Sequence, residues 1–308
     1  MSEKIYSYDD LRKLKKVLLK EYEFFKKYKE AIFSKINSNA LALSSSYKIL
    51  TELVKQDLDD LDNIVKLDVE LERVNCRVAM SYLNEVQEHD LSLEYLTRLP
   101  TLLFSLHLNK LMILKKLVLD GHKCKIIHVS SKIGLLTNLI ELDISGCLLT
   151  QLPDAIVYLE NLEILSLKHN HLSTLPDGIE RLTHLKELDL SYNHEMRVLP
   201  RGVGKLKNLH KLKIDHDNLD SLPDEICDLE HLHEIQAHHN HLRQLPKALE
   251  RLGQLEILDI HNNELRTLPH NITRLSALKY LNIQGNYIES VPDGFKKNRR
   301  YNNKRSSR

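Results

Sequence analysis

The fold is decided by a short stretch that recurs from residue 139 onward, and one copy of it reads Leu162-Glu-Ile-Leu165-Ser-Leu167-Lys-His-Asn170-His-Leu172-Ser-Thr-Leu175-Pro176-Asp-Gly-Ile179-Glu-Arg-Leu182. Further copies begin at Leu139, Leu185, Leu209, Leu232, Leu255 and Leu278. Prolines mark the period, because from Pro153 to Pro292 the successive gaps are 23, 24, 23, 23, 23 and 23 residues. A fixed period of this size is typical of stacked repeat architectures.

Each copy predicts a strand, a turn and a second apolar arm. Leu165 and Leu167 alternate with polar residues, so both side chains point to the same face of a strand. Pro176 cannot continue a strand ladder, and it directs the chain into the opposite arm. Ile179 and Leu182 are three residues apart, as on one face of a short helix or 3-10 turn. One copy cannot bury these residues alone, whereas stacked copies form a continuous core.

The unit resembles the leucine-rich repeat, LxxLxLxxNxLxxLPxxIxxLxx, and the match runs without a break from Leu139 to Phe295. A divergent copy begins at Leu114 and a partial copy spans residues 96–106, which makes about eight repeats in all. The resemblance implies a curved solenoid with one parallel strand per copy, all on one face. The copy that contains Asn193 has one extra residue, so we expect residues 194–195 to bulge at the rim.

A ladder of asparagines occupies one position of the repeat, and its side chains can bond backbone groups that the turns leave unpaired. Its members are Asn170, Asn193, Asn240, Asn263 and Asn286. Asp217 and Cys147 stand at this position in two other copies. Cysteine is an accepted alternative there, so we interpret Cys147 as structural.

The first 99 residues predict a different unit, because they contain no glycine or proline. Apolar residues recur at helical spacing in three stretches, which begin near Ser7, Leu41 and Leu58. We interpret this segment as a helical cap on the open end of the solenoid, since residues 93–111 run into the repeats with no linker. An independent effector or binding module is the alternative.

The predicted organisation is an α/β chain with a helical domain over residues 1–92, a solenoid over 93–295 and a basic disordered tail over 296–308. The tail carries seven positive and no negative residues. We interpret it as a solvated end, with a nuclear address or contact with acidic lipid or nucleic acid as alternatives. The last predicted strand, at residues 281–283, has an unpaired edge, which we expect residues 296–300 to cover or self-association to use.

The composition excludes several functional classes. Lys and Arg number 44 and Asp and Glu 43, for a net charge of +1, which gives no general attraction to nucleic acid or membrane surfaces. No apolar run reaches the length of a membrane span. The four cysteines lie far apart, which argues against a disulfide framework and favours a reducing, cytoplasmic location in the producing cell or in a host cell.

The sequence predicts no enzyme, no cofactor and no catalytic residue. It has no phosphate-binding glycine loop, no HExxH and no GxSxG. Cys124 and Cys227 occupy or adjoin repeat-core positions, so we expect them to be inert. The alternative is an enzyme or enzyme subunit, for example in ubiquitin transfer, with Cys76 as the only thiol of the helical domain.

The variable residues between the strand leucines face the concave surface. Core packing does not constrain them, so they can determine which partner is bound. We predict that this surface binds a partner protein of partly acidic character, with Tyr192 and Tyr280 as aromatic anchors. Because histidine titrates near pH 6.5, affinity is expected to strengthen between pH 7.5 and about 6. The predicted binding residues are Lys168, His169, Tyr192, Lys211, Lys213, Asp215, His216, His233, Glu234, Gln236, His238, His239, Glu256, Asp259, His261 and Tyr280.

Adjacent strands lie about 4.8 Å apart, so equivalent positions of successive copies form rows. Asp215, His238 and His261 share one row, with Asp259 beside them. Zinc takes histidine and aspartate ligands, so a metal site fits this geometry. The interpretation that we favour at this stage is a histidine-rich recognition surface without an ion, because the groups that orient metal-binding histidines cannot be read from sequence.

The 23-residue LPxxI unit resembles intracellular scaffold proteins of the Ras-suppressor and Scribble type. It also resembles the repeats of bacterial effectors that type IV secretion delivers into host cells. The Lys-, Asn- and His-rich composition favours the effector. Either resemblance implies a non-catalytic protein–protein interaction module.

Overall fold

The computed structural model describes residues 8–35, 40–56, 61–85, 90–93, 98–99, 111–119, 126–292 and 300–302. Three helices come first: α1 (Tyr8–Lys35), α2 (Ala40–Lys55) and α3 (Leu61–Glu85). No helix in these ranges is both long and apolar enough to cross a membrane. Ser7, Cys124 and most of the partial copy at residues 96–106 lie outside the described residues.

Ten strands form one sheet in which every pairing is parallel. Two short strands, β2 (Arg98–Leu99) and β4 (His128–Val129), pair separately. The ten strands of the main sheet are, in spatial order, β1 (Asp90–Leu93), β3 (Lys116–Leu119), β5 (Glu141–Asp143), β6 (Ile164–Ser166), β7 (Glu187–Asp189), β8 (Lys211–Lys213), β9 (Glu234–Gln236), β10 (Ile257–Asp259), β11 (Tyr280–Asn282) and β12 (Arg300–Asn302).

The register aligns the central apolar residue of each strand with that of the next. Leu165 pairs with Leu142 on one side and Leu188 on the other, and all three are buried. Each buried leucine contributes roughly 1.5–3 kcal/mol relative to an exposed one. The predicted solenoid with one parallel strand per copy is therefore confirmed.

Short 3-10 turns form the opposite arm of each copy, and residues 154–158, 201–205, 224–228 and 270–274 are examples. In these four the repeat proline directly precedes the turn, in an extended or near-extended conformation. The apolar residue of each turn, such as Ile156 or Ile226, is fully buried. The proline thus ends extended structure and the following turn closes the core, as predicted.

The helices pack on the first strands of the solenoid rather than standing apart. Helix α3 contacts α1, α2, β1 and β2. Buried residues form one cluster that runs from Leu18 and Leu67 in the helices to Leu117 and beyond in the sheet. The sheet begins at Asp90, so its first strand crosses the boundary expected between residues 92 and 93.

The structure differs from the expected disordered tail at three residues. Arg300–Asn302 form β12, which pairs in parallel with β11. This strand pairs with the edge of β11, which the sequence analysis expected to be unpaired. The unpaired backbone N–H and C=O groups of an edge strand favour addition of a further strand. The remaining tail residues, 296–299 and 303–308, lie outside the described ranges.

The expected bulge at residues 194–195 is confirmed. His194 and Glu195 are exposed in a turn that closes with a hydrogen bond of 2.9 Å from the Met196 N–H to the Asn193 carbonyl. Met196 itself is fully buried. The extra residue is therefore absorbed at the surface, and the core spacing continues.

The asparagine ladder joins each copy to the one before it. Asn170 Oδ1 accepts the Leu149 N–H at 3.1 Å, and its Nδ2 donates to the carbonyls of Ile144 and Leu167 at 2.8 and 2.9 Å. Asn193, Asn240, Asn263 and Asn286 repeat this pattern. The predicted backbone role of the ladder is confirmed.

Asp217 fills the ladder position with an acid instead of an amide. Its Oδ1 accepts the Asn193 N–H at 2.6 Å, while Oδ2 is buried without a partner in the described part of the chain. Burial raises the pKa of Asp217 to about 8, against the opposing effect of the Asn193 hydrogen bond. The carboxylic acid form keeps an O–H that can donate as an amide would.

Close approach of neighbouring 3-10 turns requires a glycine at position 204. A Cβ there would lie 2.2 Å from the Glu225 carbonyl oxygen, which is a backbone atom. We expect Gly204→Ala to lower the free energy of unfolding by about 1–3 kcal/mol, since the turns must separate. Gly253→Ala is the control, because nothing lies within 4 Å of its Cβ position. Equal denaturation midpoints for the two variants would contradict this prediction.

We expect Asp217→Asn to stabilise the protein at pH 7.5. The carboxyl ionises near pH 3.9 in the unfolded chain but only near pH 8 in the folded one, so stability falls as pH rises through this window. Asparagine removes that loss and supplies the ladder amide. Urea denaturation at pH 6 and pH 8 measures the effect, with the exposed Asp220→Asn as control. The prediction fails if Asp217→Asn retains the pH dependence of the parent protein.

Candidate functional site

The residue before each ladder position adopts a left-handed backbone conformation in seven consecutive copies. Its φ angle is 70° at Gly146 and 64° at Gly285, at the two ends of the row. Between them stand residues other than glycine, for which this conformation is uncommon. They are His169, Tyr192, His216, His239 and Asn262, with φ between 52° and 64°. The ladder turn therefore places five side chains in one row along the rim of the sheet.

Four rings of this row stack into a continuous column, which we call the aromatic column: His169, Tyr192, His216 and His239. Successive ring centroids lie 4.1, 4.3 and 4.2 Å apart, with interplanar angles of 30°, 7° and 17°. Lys168 Nζ lies 5.3 Å from the centre of the Tyr192 ring. Such stacks favour flat, partly apolar or charged ligand groups.

The next row adds two histidines beside the column. His238 stacks on His261 at 4.4 Å, and its ring stands edge-on to His216 at 5.1 Å and to His239 at 5.4 Å. We call His216, His238, His239 and His261 the histidine cluster. The sequence grouped His238 and His261 with Asp215, but it did not place His216 and His239 against them.

Two carboxylates hold the cluster in place. Asp215 Oδ2 lies 3.0 Å from His216 Nδ1 and 3.9 Å from His238 Nε2, and its Oδ1 accepts the Ser191 hydroxyl at 2.7 Å. Burial acts to raise the pKa of Asp215, but the hydrogen bonds from His216 and Ser191 outweigh it and leave this pKa lowered. Asp259 Oδ1 lies 2.5 Å from His261 Nδ1.

The expected pH window needs a correction at two histidines. Burial lowers the pKa of both His238 and His239, because the charged form of each ring loses contact with water. Asp215 opposes this shift at His238, and neighbouring histidines reinforce it. These two rings therefore gain their charge below pH 6.5. Any strengthening of partner binding by their charge falls at or below about pH 6, at the acid limit of the expected range.

Other predicted binding residues are paired with neighbours or lie away from the cluster. Lys211 and Lys213 contact Glu187 and Asp189 at 3.0 and 3.6 Å, so they are not free positive charges. Lys279 pairs in the same way with Glu256 at 2.7 Å, and Gln236 donates to Glu234 at 2.5 Å.

Two further predicted residues lie in other rows than the histidine cluster. His233 stacks on His210 at 5.3 Å and comes before β9, whereas His238 and His239 follow that strand. Tyr280 is 36% exposed on β11 and occupies the row of Lys211, not that of Tyr192. The two tyrosines therefore belong to different rows of the concave face.

Sequence reasoning missed Ser191 and Asn262 as members of the site. Ser191 orients Asp215, and Asn262 Nδ2 lies 3.0 Å from His239 Nε2. The sequence signal for Asn262 is its position: like His239, it directly precedes a ladder asparagine.

The described cysteines are poorly placed for nucleophilic chemistry, which needs an accessible thiolate. Cys76, Cys147 and Cys227 are buried. Burial also raises the pKa of the Cys227 thiol to about 12. The prediction that Cys147 is structural agrees with its place in the core, where Sγ lies 3.8 Å from the Leu119 carbonyl oxygen.

Comparison with known families supports the repeat assignment directly. A family described as a leucine-rich repeat region matches residues 91–220, and a second leucine-rich repeat family matches residues 245–288. The chain is a leucine-rich-repeat protein. No curated protein matches its sequence.

Solved structures share the fold of this leucine-rich-repeat protein. The leucine-rich-repeat domain of the type III effector XopL is 19% identical, with a TM-score of 0.59 over 95% of this chain and 93% of that one. Internalin C2 from Listeria monocytogenes is 20% identical, with a TM-score of 0.51 over 59% and 76%.

A plant receptor shares part of the fold. The ectodomain of the receptor kinase GASSHO1/SCHENGEN3 from Arabidopsis thaliana, solved in complex with CASPARIAN STRIP INTEGRITY FACTOR 2, is 25% identical, with a TM-score of 0.56 over 65% of this chain. The leucine-rich-repeat protein spans 24% of that ectodomain.

We expect the imidazole signals of His238 and His239 to titrate below pH 6.5 in an NMR pH series. Asp215→Asn is expected to lower the His238 pKa further, because it removes a negative charge 3.9 Å from Nε2. Asp220→Asn, at an exposed position outside the cluster, should leave both values unchanged. A His238 pKa that rises in the Asp215→Asn variant would contradict the assigned electrostatics.

Proposed function

We propose that this protein binds a partner protein through its concave face, with the aromatic column and the histidine cluster at the centre of the contact. Leucine-rich-repeat domains generally mediate protein–protein interaction, and the family is typically non-enzymatic. The observation that carries the proposal is the continuous stack of four rings at spacings of 4.1–4.3 Å. Ordered aromatic side chains supply contact area at low entropic cost.

The chemistry of the surface supports a partner of mixed, partly acidic character. Lys168, which lies against Tyr192, can meet carboxylates of a partner, while Asp215 and Asp259 are already engaged by His216 and His261. The lysines of β8 are paired with the acids of β7, so they contribute less to attraction than free charges would. Specificity therefore concentrates in the two rows that follow the strands.

The proposed setting is the cytoplasm, either of the producing cell or of a host cell that receives the protein as a bacterial effector. The composition and the 23-residue resemblance support the effector role. Within this proposal the helices cap the solenoid, because α3 packs on β1 and β2 and the core is continuous. The alternative of thiol chemistry in the helical domain is disfavoured, since Cys76 is 4% exposed.

We expect Tyr192→Asn combined with His239→Asn to abolish capture of a specific partner by the full chain. Asparagine tolerates the left-handed backbone, and Asn262 shows that this row accepts it. The variant therefore removes two rings of the column without straining the turn. Affinity capture followed by quantitative mass spectrometry, with the fold checked by circular dichroism, measures the loss relative to the parent.

Tyr158→Asn is the matched control, because Tyr158 is 50% exposed in a 3-10 turn on the convex side. A partner that is lost with the concave variant and retained with the control supports the proposal. Equal capture by the parent and the concave variant would show that binding occurs elsewhere.

A further inference from the structure

We propose that His216, His238 and His239 form a binding site for one divalent transition-metal ion of the nitrogen-preferring class, for which Zn²⁺ is the reference. One ligand nitrogen from each ring lies within 4.8 Å of the other two. His216 follows β8, and His238 and His239 follow β9, so adjacent copies of the repeat supply the three ligands. The proposal does not depend on protein binding by the concave face.

The three nitrogens lie close enough for one ion once the stacked pair tilts. In a tetrahedral zinc site the metal–nitrogen distance is about 2.0–2.1 Å, which separates ligand nitrogens by about 3.4 Å. The His238 ring stands at 88° to His216 and at 79° to His239, so it approaches from a different direction than the stacked pair. His216 and His239 stack at 17°, so metal binding requires these two rings to tilt apart until both ring planes contain the ion.

A carboxylate orients one of the ligands as in established zinc centres. Asp215 Oδ2 lies 3.0 Å from His216 Nδ1, which directs Nε2 of this ring to the metal. Ser191 donates to the other oxygen of Asp215 at 2.7 Å and fixes the carboxylate. The acid also places negative charge beside the proposed cation.

His238 carries an independent sign of a ligand. Its Nε2 lies 3.9 Å from Asp215 Oδ2, while its Nδ1 is buried and has no hydrogen-bond partner among the described residues. Buried polar atoms are nearly always paired, so a buried ring nitrogen without a protein partner is available as a metal ligand. A metal ion bound at Nδ1 accounts for this atom and keeps Nε2 directed to the acid.

The remaining neighbours are compatible with an ion. Asn262 Nδ2 lies 3.0 Å from His239 Nε2; with the metal at Nδ1, Nε2 carries the proton, and the amide turns so that its oxygen accepts it. Imidazole binds a metal ion in its neutral form, which histidine supplies at neutral pH. His261 is held by Asp259 and is not required as a ligand.

Isothermal titration of the chelator-treated full chain with zinc chloride at pH 7.5 tests the proposal. We expect one ion per chain with a Kd of about 10⁻⁶ M or below. Cobalt chloride should give the visible absorption bands of a tetrahedral site, and zinc should displace them. Absence of stoichiometric binding by the parent would overturn the proposal.

Variants built from residues of neighbouring copies test the ligands without disturbing the fold. His238→Ser uses the residue at the equivalent position 191, and His239→Asn uses the residue at position 262. Together they should abolish stoichiometric binding and the cobalt bands. Asp215→Asn should weaken binding about 10–100-fold, because it loosens the orientation of His216.

The matched control replaces a stacked histidine pair outside the cluster, on the same face. His210→Lys with His233→Lys introduces the residue that positions 186 and 279 carry in equivalent rows. Affinity and stoichiometry should equal those of the parent. Equal loss in this control would reveal unspecific histidine binding, and unchanged binding in the His238→Ser, His239→Asn variant would place the ion elsewhere. Either result would refute the site.

Discussion

The hydrogen bonds between each ladder asparagine and the preceding copy are the constraint on which the rest of the structure depends. An amide such as Asn170 accepts from one copy and donates to carbonyls of two, so it sets the spacing and the rotation of neighbouring copies together. The same turn forces the residue before the asparagine into the left-handed region. Core alignment and the placement of rings on the rim therefore have one cause.

This constraint separates the concave face into rows with different roles. Rows on the strands pair lysines with acids across neighbouring strands, as in Lys211 with Glu187, and such exposed pairs contribute little to stability or attraction. The rows after the strands hold rings at 4.1–4.4 Å spacing and partly buried histidines instead. Chemistry that can distinguish partners or bind an ion is concentrated in these later rows.

Elements from outside the repeats pack on the first strand of the sheet and pair with β11 at its other end, and sheet edges matter because they expose unpaired backbone groups. Helix α3 packs on β1 and β2 at one end, and its apolar residues join the core of the solenoid. Strand β12 extends the sheet beyond β11 at the other end. In the interior, the asparagine ladder accepts an acid at Asp217, and burial raises the pKa of this carboxyl to about 8.

The sequence by itself determined the period, the parallel strand of each copy, the buried leucines and the asparagine ladder, because a repeated pattern has only one way to bury every copy. It also predicted that the outward residues between those leucines carry the site. Only the tertiary structure decided which of them meet. His216 contacts His239 because the left-handed turns of adjacent copies place their rings one above the other. The positive charge of Lys211 is paired because Glu187 lies on the adjacent strand. Contacts between copies depend on twist and side-chain direction, which a single copy of the motif does not contain.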